Sequence, residues 1–241
     1  IVEVYPPDNP EGYKNGEVIQ TAYNGCTVQT YKLRYDKETK ELIEKVEDQL
    51  SKYKKRDKIT VSIQEPTEEF PGNDVIGNAI NQGDININYY PANAKTDGEA
   101  AKYVWPFVET TFDGKTCVKA SNNRVDSSYA ILYADVELKA GQAVGFDYIC
   151  SSEQAGDVLY VIVNDEAIYT ISGNGNEGQW QHCYPWVATE DGIYEVALCY
   201  IKDGSTNEGE DTVYIKNMRV VNADDIDTAA YMPRYAATTE D

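Results

Sequence analysis

The sequence predicts an all-β protein, in which a small β-rich N-terminal module precedes an antiparallel β-sandwich. Short β-rich segments separated by turn residues recur through the second part of the chain, and several of them alternate strictly between two faces. No convincing long helix pattern interrupts them. The hydrophobic content of 41% and the aromatic content of 11% are too high for a disordered acidic chain, so we expect a folded protein.

Charge and length limit the classes of partner. The chain has 241 residues and a formal net charge of -20, which repels nucleic acid and anionic lipid surfaces, so we exclude nucleic-acid binding. No stretch approaches the roughly 20 apolar residues that span a bilayer, so we expect no membrane insertion. The chain starts inside an apparent strand and ends in an acidic tail, and we expect it to be part of a longer protein.

An acidic segment divides the chain into two parts of different charge. Two prolines and a glycine bracket a polar run without periodicity, which is typical of a linker. Up to Glu69 the chain carries 14 acidic and 11 basic side chains, and the remainder carries 27 and 10. We therefore predict a module at 1–64, a linker at 65–79, a sandwich at 80–222 and a tail at 223–241. The alternative is a long surface loop within one domain.

The N-terminal module contains one clear turn signal and one ambiguous segment. Two β-rich runs, Glu17–Tyr23 and Cys26–Tyr35, flank Asn24-Gly25, which predicts a hairpin, and another strand is expected over Lys58–Ile63. Residues 41–55 are ambiguous, because their apolar side chains have helical spacing while the segment can also form a strand.

Five segments of this module together resemble the G-five domain, a small extracellular β module: Lys14–Val18, Asn24-Gly25, Val28–Asp36, Leu42–Glu44 and Lys58–Val61. The resemblance covers residues 10–63 and implies a strand at 41–47. It also implies a bacterial surface or secreted context, in which such modules adhere to amino sugars or act as spacers.

The second part contains ten predicted strands, consistent with an antiparallel sandwich. In one of them Phe146, Tyr148 and Cys150 share a face. The ten segments are Ile85–Tyr90, Tyr103–Val108, Thr116–Ala120, Ala130–Leu138, Ala143–Cys150, Val158–Val163, Ala167–Ile171, Gln179–Val187, Ile193–Ile201 and Thr212–Val220.

The order and spacing of seven segments resemble the jelly-roll β-sandwich modules of the cleaved-adhesin type, which are similar to carbohydrate-binding modules of secreted bacterial proteins: Leu138–Tyr148, Ser151–Glu153, Leu159–Asn164, Trp180, Glu190–Tyr194, Tyr200–Gly204 and Val213–Val220. The resemblance covers roughly residues 80–221. It implies a jelly-roll fold, a glycan or cell-surface ligand and an extracellular location.

Catalytic patterns are weak in this sequence. His182 is the only imidazole, and its neighbour Cys183 points to the opposite face of a strand. Phosphate-binding loops, zinc-protease motifs and dinucleotide fingerprints are all lacking. We therefore expect a protein that is not an enzyme.

The candidate ligand-binding residues are aromatic. Even spacing places four rings on one face of a predicted strand, where they could stack on sugars, and two further rings have the same potential. The alternative is that these rings pack in the core. The candidates are Trp180, Tyr184 and Trp186, with His182 between them, and Tyr90 and Trp105 elsewhere.

Cysteines and acidic loops offer little evidence for a bound metal. The five cysteines lack a C-x-x-C pair, so a closed zinc site is not expected; we predict buried free thiols, with a disulfide among the last four as the alternative. Calcium is a candidate cofactor, and solvated surface charge is the alternative. The oxygen donors would come from Asp203, Asn207, Glu208, Glu210 and Asp211.

These observations predict a non-catalytic bacterial surface or secreted protein that binds glycans or mediates adhesion through its sandwich. A purely structural spacer and a protein-binding adhesin are the two alternatives, since exposed tyrosines also suit protein interfaces.

Overall fold

The computed structural model describes residues 1–66, 71–80, 86–91, 103–173 and 178–226. The chain forms two compact units. The first comprises Ile1–Glu3 and Tyr13–Ser62, and the second comprises Val4–Gly12 and Ile63–Asp241. Linker residues 67–70, the first residue of the predicted strand at 85–90 and the tail beyond residue 226 lie outside the described residues.

The first unit is built from strands alone. A three-stranded sheet has the order β1-β5-β2, with β1 at Val2–Tyr5, β2 at Val18–Gln20 and β5 at Ile59–Ile63. A separate two-stranded ribbon pairs β3 (Cys26–Tyr35) with β4 (Leu42–Tyr53) in antiparallel register.

The ambiguous segment is therefore a strand, and the helical spacing of its apolar residues is misleading. In a two-stranded ribbon both faces meet water, so nothing enforces the alternation that normally identifies a strand. The apolar side chains of the ribbon are indeed 42–56% exposed: Val28, Tyr31, Leu33, Tyr35, Leu42, Ile43, Val46, Leu50 and Tyr53.

The predicted hairpin across Asn24-Gly25 is wrong. Strand β2 pairs with β5, and the turn that reverses the chain after β3 lies at Asp36–Glu41 instead. There the Asp36 carboxylate accepts the backbone N–H groups of Glu38 and Thr39 at 2.8 and 2.9 Å, which closes the turn. Gly25 is needed for close approach, since a Cβ there would lie 2.6 Å from the carbonyl oxygen of Tyr53.

The second unit is a jelly-roll β-sandwich of two packed sheets, which confirms the predicted all-β fold class. A six-stranded sheet has the order β13-β12-β15-β10-β6, with β7 also pairing with β10. Its strands are β6 (Ile87–Pro91), β7 (Val104–Trp105), β10 (Tyr129–Leu138), β12 (Val158–Val163), β13 (Glu166–Ser172) and β15 (Gly192–Ile201).

The five-stranded sheet has the order β14-β11-β16-β9-β8. Its strands are β8 (Phe107–Phe112), β9 (Lys115–Ala120), β11 (Gln142–Ser151), β14 (Gln181–Val187) and β16 (Thr212–Asn222). The inner faces of both sheets contribute to one hydrophobic core, in which Phe146, Tyr148 and Cys150 share a face as predicted.

Two structural features lie near the predicted domain boundaries. An eight-residue helix, α1 (Asn73–Ile80), lies in the predicted linker, and its Ile76 and Ile80 are buried in the core one turn apart. The N-terminal segment also joins the sandwich: Tyr5 is buried, and the Asp126 N–H donates to the Val4 carbonyl at 2.6 Å. Within the described residues, helices of the length and apolarity that a bilayer crossing requires do not occur.

All five cysteines are free thiols. Cys117, Cys150, Cys183 and Cys199 are buried, as predicted for unpaired cysteines, whereas Cys26 is exposed. Burial raises the pKa of the Cys150 thiol to about 11 and the pKa of the Cys183 thiol to about 12, because a buried thiolate loses its hydration.

We expect a thiol reagent such as DTNB to modify one cysteine rapidly in the native protein and five after denaturation, because Cys26 is exposed and the other four cysteines are buried. The substitution Cys26→Ser should abolish the rapid phase. Two or more rapidly modified thiols in the native wild-type protein would contradict the burial of the other four.

Candidate functional site

Two β-bulges flank the same point of the central strand β11. Along β14 the register shifts between Val144 and Phe146, so that Tyr184 and Pro185 together lie opposite Gly145. Along β16 it shifts between Gly145 and Asp147. Bulges re-aim side chains and are frequent beside functional sites. The outer face of the five-stranded sheet around Gly145 and Asp147 is therefore the candidate site.

The first bulge breaks the predicted aromatic ladder. Residues before it alternate as expected, so Trp180, His182 and Tyr184 remain on the outer side. Trp186 instead pairs with the fully buried Val144, packs against the core and contacts Tyr194 edge-on at 4.8 Å between ring centroids. Trp186 is thus wrongly predicted as a member of this face, because one extra residue in a strand reverses the facing of all residues beyond it.

A buried carboxylate organises the outer face. Asp147 is 3% exposed and accepts three side-chain hydrogen bonds. His182 Nδ1 and Arg219 Nη1 donate to its Oδ1 at 2.5 and 3.1 Å, and Asn217 Nδ2 donates to its Oδ2 at 2.6 Å. Because the carboxylate accepts, the imidazole carries its proton on Nδ1. Asn217 is at the second bulge with a φ of 50°, which brings its amide to Asp147.

The ring of Tyr184 lies across the backbone of β11. A Cβ at position 145 would overlap this ring, so the position requires glycine. Arg219 Nη2 donates to the Tyr184 hydroxyl, and its guanidinium carbon is 5.2 Å from the centroid of the ring. Arg219 thus connects Tyr184 to Asp147 and fixes both.

Trp180 lies just before β14, beside a second, smaller apolar cluster. Its ring meets Phe112 edge-on at 6.1 Å, and the ammonium of Lys216 is 4.2 Å from its centroid. Burial, and after it the nearby charge of Lys115, lowers the pKa of Lys216. The outer cluster contains Cys117, Ile149 and Tyr214, with Phe112 and Trp180 packed against it.

Two other predicted ligand residues lie elsewhere. Trp105 is 1% exposed and packs in the core, so the structure does not place it on a ligand-accessible surface. Tyr90 lies on β6 in the other sheet, stacks on Tyr133 at 5.5 Å and donates to Glu195 at 2.9 Å. The outer faces of two packed sheets point in opposite directions, so Tyr90 cannot share a site with Tyr184.

The structure also bears on catalysis by the single imidazole. Cys183 is 1% exposed and faces the core, so this neighbouring thiol cannot act as a nucleophile for His182. The hydrogen bond with Asp147 instead orients the His182 imidazole among the polar side chains that surround this carboxylate.

Four polar residues of this site are not among those predicted from the sequence: Asp147, Lys216, Asn217 and Arg219. One signal was available, since Asp147 is the only charged residue in the otherwise apolar run Ala143–Cys150. A carboxylate on a central strand needs donors, and these come from the two neighbouring strands.

The acidic loop region, predicted as a candidate calcium site, holds an internal ammonium. Lys202 is fully buried and donates to Asp157 at 2.8 Å, to Asp211 at 2.5 Å and to Asn207 at 3.3 Å. Asp211 also accepts the Arg124 N–H at 2.7 Å. Asn207 and Asp211, which were predicted as calcium ligands, therefore accept hydrogen bonds from this ammonium.

Among the described residues, Glu153, Asp157 and Asp203 form a group with metal-ligand spacing, within 4.8 Å of one another. Asp157 is already engaged by Lys202 and by the Asp203 N–H at 3.0 Å. Calcium binding stays a prediction. Burial and the hydrogen bond with Asp211 raise the pKa of Asp157 to about 7, because two buried carboxylates share one ammonium.

Comparisons with known proteins find fold-level similarities only. No family model matches the sequence, and no curated protein matches it, so both resemblances inferred from the sequence stay predictions. The secreted serine protease VesC from Vibrio cholerae is 11% identical, with a TM-score of 0.41 over 86% of this chain and 45% of that chain. This chain thus spans less than half the length of that protease.

Two carbohydrate-binding modules are also similar in structure. A CBM61 module in complex with β-1,4-galactotriose is 13% identical, with a TM-score of 0.30 over 65% of this chain and 99% of that chain. A mutant of a family 29 carbohydrate-binding module is 17% identical, with a TM-score of 0.31 over 58% of this chain and 96% of that one. These TM-scores are too low to assign a function to the chain.

We expect the substitution Lys202→Met at pH 8 to lower the free energy of unfolding by about 3–5 kcal/mol, because it leaves two buried carboxylates without their cation. Urea denaturation measures the change. The control Lys139→Met removes an exposed ion pair with Asp191 and should cost at most about 1 kcal/mol. Equal losses in the two variants would contradict the structural role of Lys202.

The raised pKa of Asp157 predicts a pH dependence of stability. Between about pH 4 and pH 7 the folded chain retains a proton on Asp157 that the unfolded chain releases, so this group's contribution to stability falls as the pH rises through that window. The unfolding free energy of the wild type minus that of Asp157→Asn should therefore decrease as the pH rises from about 4 to 7. A difference that is constant from pH 4 to pH 8 would be inconsistent with the shift.

Proposed function

We propose that this protein is a non-catalytic bacterial binding protein whose jelly-roll unit binds a glycan on the outer face of its five-stranded sheet. The observation that carries the proposal is the arrangement of Trp180 and Tyr184 around the hydrogen-bonded array of Asp147, His182 and Arg219. Aromatic rings stack on the apolar faces of sugars, and fixed polar groups beside them meet the hydroxyl groups.

The geometry favours binding because the site is already ordered. Asp147 holds His182 and Arg219, and Arg219 in turn holds the Tyr184 ring across Gly145. Since these side chains are fixed before a ligand arrives, little side-chain entropy is lost on binding. The His182 side chain is 42% exposed, so the polar array is accessible from solvent.

We further propose an extracellular or cell-surface location and a role in adhesion. The support is the resemblance of the first unit to the G-five domain and of the second to cleaved-adhesin modules, together with the net charge of -20, which suits an outward-facing module. In this proposal the first unit acts as a second adhesive module or as a spacer.

The substitution Tyr184→Ala should weaken glycan binding by roughly thirtyfold, since loss of a central aromatic contact costs about 2 kcal/mol. The full chain is screened on a glycan microarray, and the affinity for the best-bound glycan is then measured by isothermal titration calorimetry for wild type and variant.

Tyr160→Ala is the matched control, because Tyr160 is also a partly buried tyrosine but lies on β12 of the other sheet. It should leave the affinity unchanged. A loss confined to Tyr160→Ala would move the site to the six-stranded sheet. If no glycan binds the wild type, the spacer and protein-binding alternatives replace this proposal.

A further inference from the structure

The candidate site differs in charge from the rest of the sandwich. After Glu69 the chain carries 27 acidic and only 10 basic side chains. Among the residues that the structure describes, four of these basic side chains lie on the outer face of the five-stranded sheet. Lys119 pairs with Tyr214 and Lys115 pairs with Phe112, and both aromatic partners belong to the outer cluster. The other two are Lys216 and Arg219, which adjoin Asp147.

Two acidic side chains near this face, among the described residues, are already engaged in hydrogen bonds. Asp147 is buried beneath three donors, and Glu210 accepts a hydrogen bond from the Tyr214 hydroxyl. The charge of Arg219 is matched by Asp147 at 3.1 Å. The lysines thus give this face a positive character within a strongly acidic unit.

The surroundings of the Lys216 ammonium indicate the charge of the ligand. Its residue is only 8% exposed, yet within the described part of the chain no carboxylate lies within 4 Å of its ammonium. The ammonium lies 4.2 Å from the centroid of the Trp180 ring. The charge of Asp147 compensates the burial of Lys216 only in part, because the Asp147 oxygens already accept hydrogen bonds from three other donors. An anionic ligand would give the ammonium a close counter-charge.

We propose that the glycan is acidic, and that its carboxylate or sulfate group binds the ammonium of Lys216 while its sugar rings contact Trp180 and Tyr184. This inference rests on the proposed glycan-binding function. The net charge of -20 opposes an acidic ligand at long range, but charges beyond about 8 Å are largely screened at physiological salt. The groups lining the site then decide which ligand binds.

The test compares acidic with neutral oligosaccharides on the full chain by isothermal titration calorimetry. The acidic probes are trigalacturonate and a κ-carrageenan tetrasaccharide, which distinguish carboxylate from sulfate. The neutral probes are the methyl ester of trigalacturonate and β-1,4-galactotriose. We expect at least one acidic probe to bind about tenfold or more tightly than the neutral probes, the effect of one close ion pair at a partly desolvated site.

Variants that each remove one positive charge distinguish an effect at the site from an effect of the net charge. Lys216→Gln should weaken binding of the acidic probe about tenfold, and Lys115→Gln, at the exposed end of the same face, should weaken it less. Lys139→Gln changes the net charge equally but lies in the turn before β11, and it should have no effect. Thermal unfolding shows whether each variant is folded. If Lys216→Gln does not fold, the comparison of Lys115→Gln with Lys139→Gln still tests the proposal.

The outcomes separate the two proposals. Neutral glycans that bind as tightly as the acidic probes, with a loss in Tyr184→Ala, would overturn the acidic specificity and leave glycan binding intact. An equal loss in Lys216→Gln and Lys139→Gln would also overturn it. Absence of binding to every glycan on the microarray and to all four probes would overturn both proposals.

Discussion

The outer face of the five-stranded sheet depends on one interaction, the burial of the Asp147 carboxylate beneath donors from three residues. A charged group this deep in a sheet is tolerated only when each oxygen is hydrogen-bonded. His182 on β14 and Asn217 and Arg219 on β16 meet that need. The carboxylate thereby ties β11 to both of its neighbours and sets the positions of the side chains above it.

The two bulges are what make this arrangement possible. A regular ladder would place one residue of β16 opposite each residue of β11, and Arg219 and Lys216 could not both lie beside Asp147. The bulge at Asn217 adds the residue that brings both to the outer face. The bulge at Tyr184 and Pro185 likewise lays an aromatic ring over Gly145, where the missing side chain leaves room.

The sandwich could be predicted from sequence because its strands have one face in a core. Burial on one side enforces alternation, as in Phe146 and Tyr148, and turn residues mark the ends of the strands. The ribbon of the first unit has no buried face, so the spacing of Leu42 and Val46 carried no information on its structure. The helix at Asn73–Ile80 was missed because its eight residues are too short for a clear period.

The candidate site could be predicted only in part. Trp180 and Tyr184 follow from even spacing along one strand, but Trp186 does not, because a bulge is a property of two paired strands and one strand's sequence does not record it. The polar residues come from β11 and β16, which are about 70 residues apart in sequence. Only the strand order β14-β11-β16 brings them together.

The two buried lysines of the sandwich show why the outer face is the better candidate for a ligand. Lys202 is surrounded by two carboxylates and an amide oxygen, so its charge is already matched inside the protein. That ammonium therefore stabilises the loops around it. Lys216 is less completely buried, its ammonium lies over an aromatic ring, and no carboxylate of the described residues lies within 4 Å of that ammonium. The protein thus supplies close counter-charges to Lys202, whereas Lys216 has only the shared charge of Asp147, to which the proposed acidic glycan would add a second.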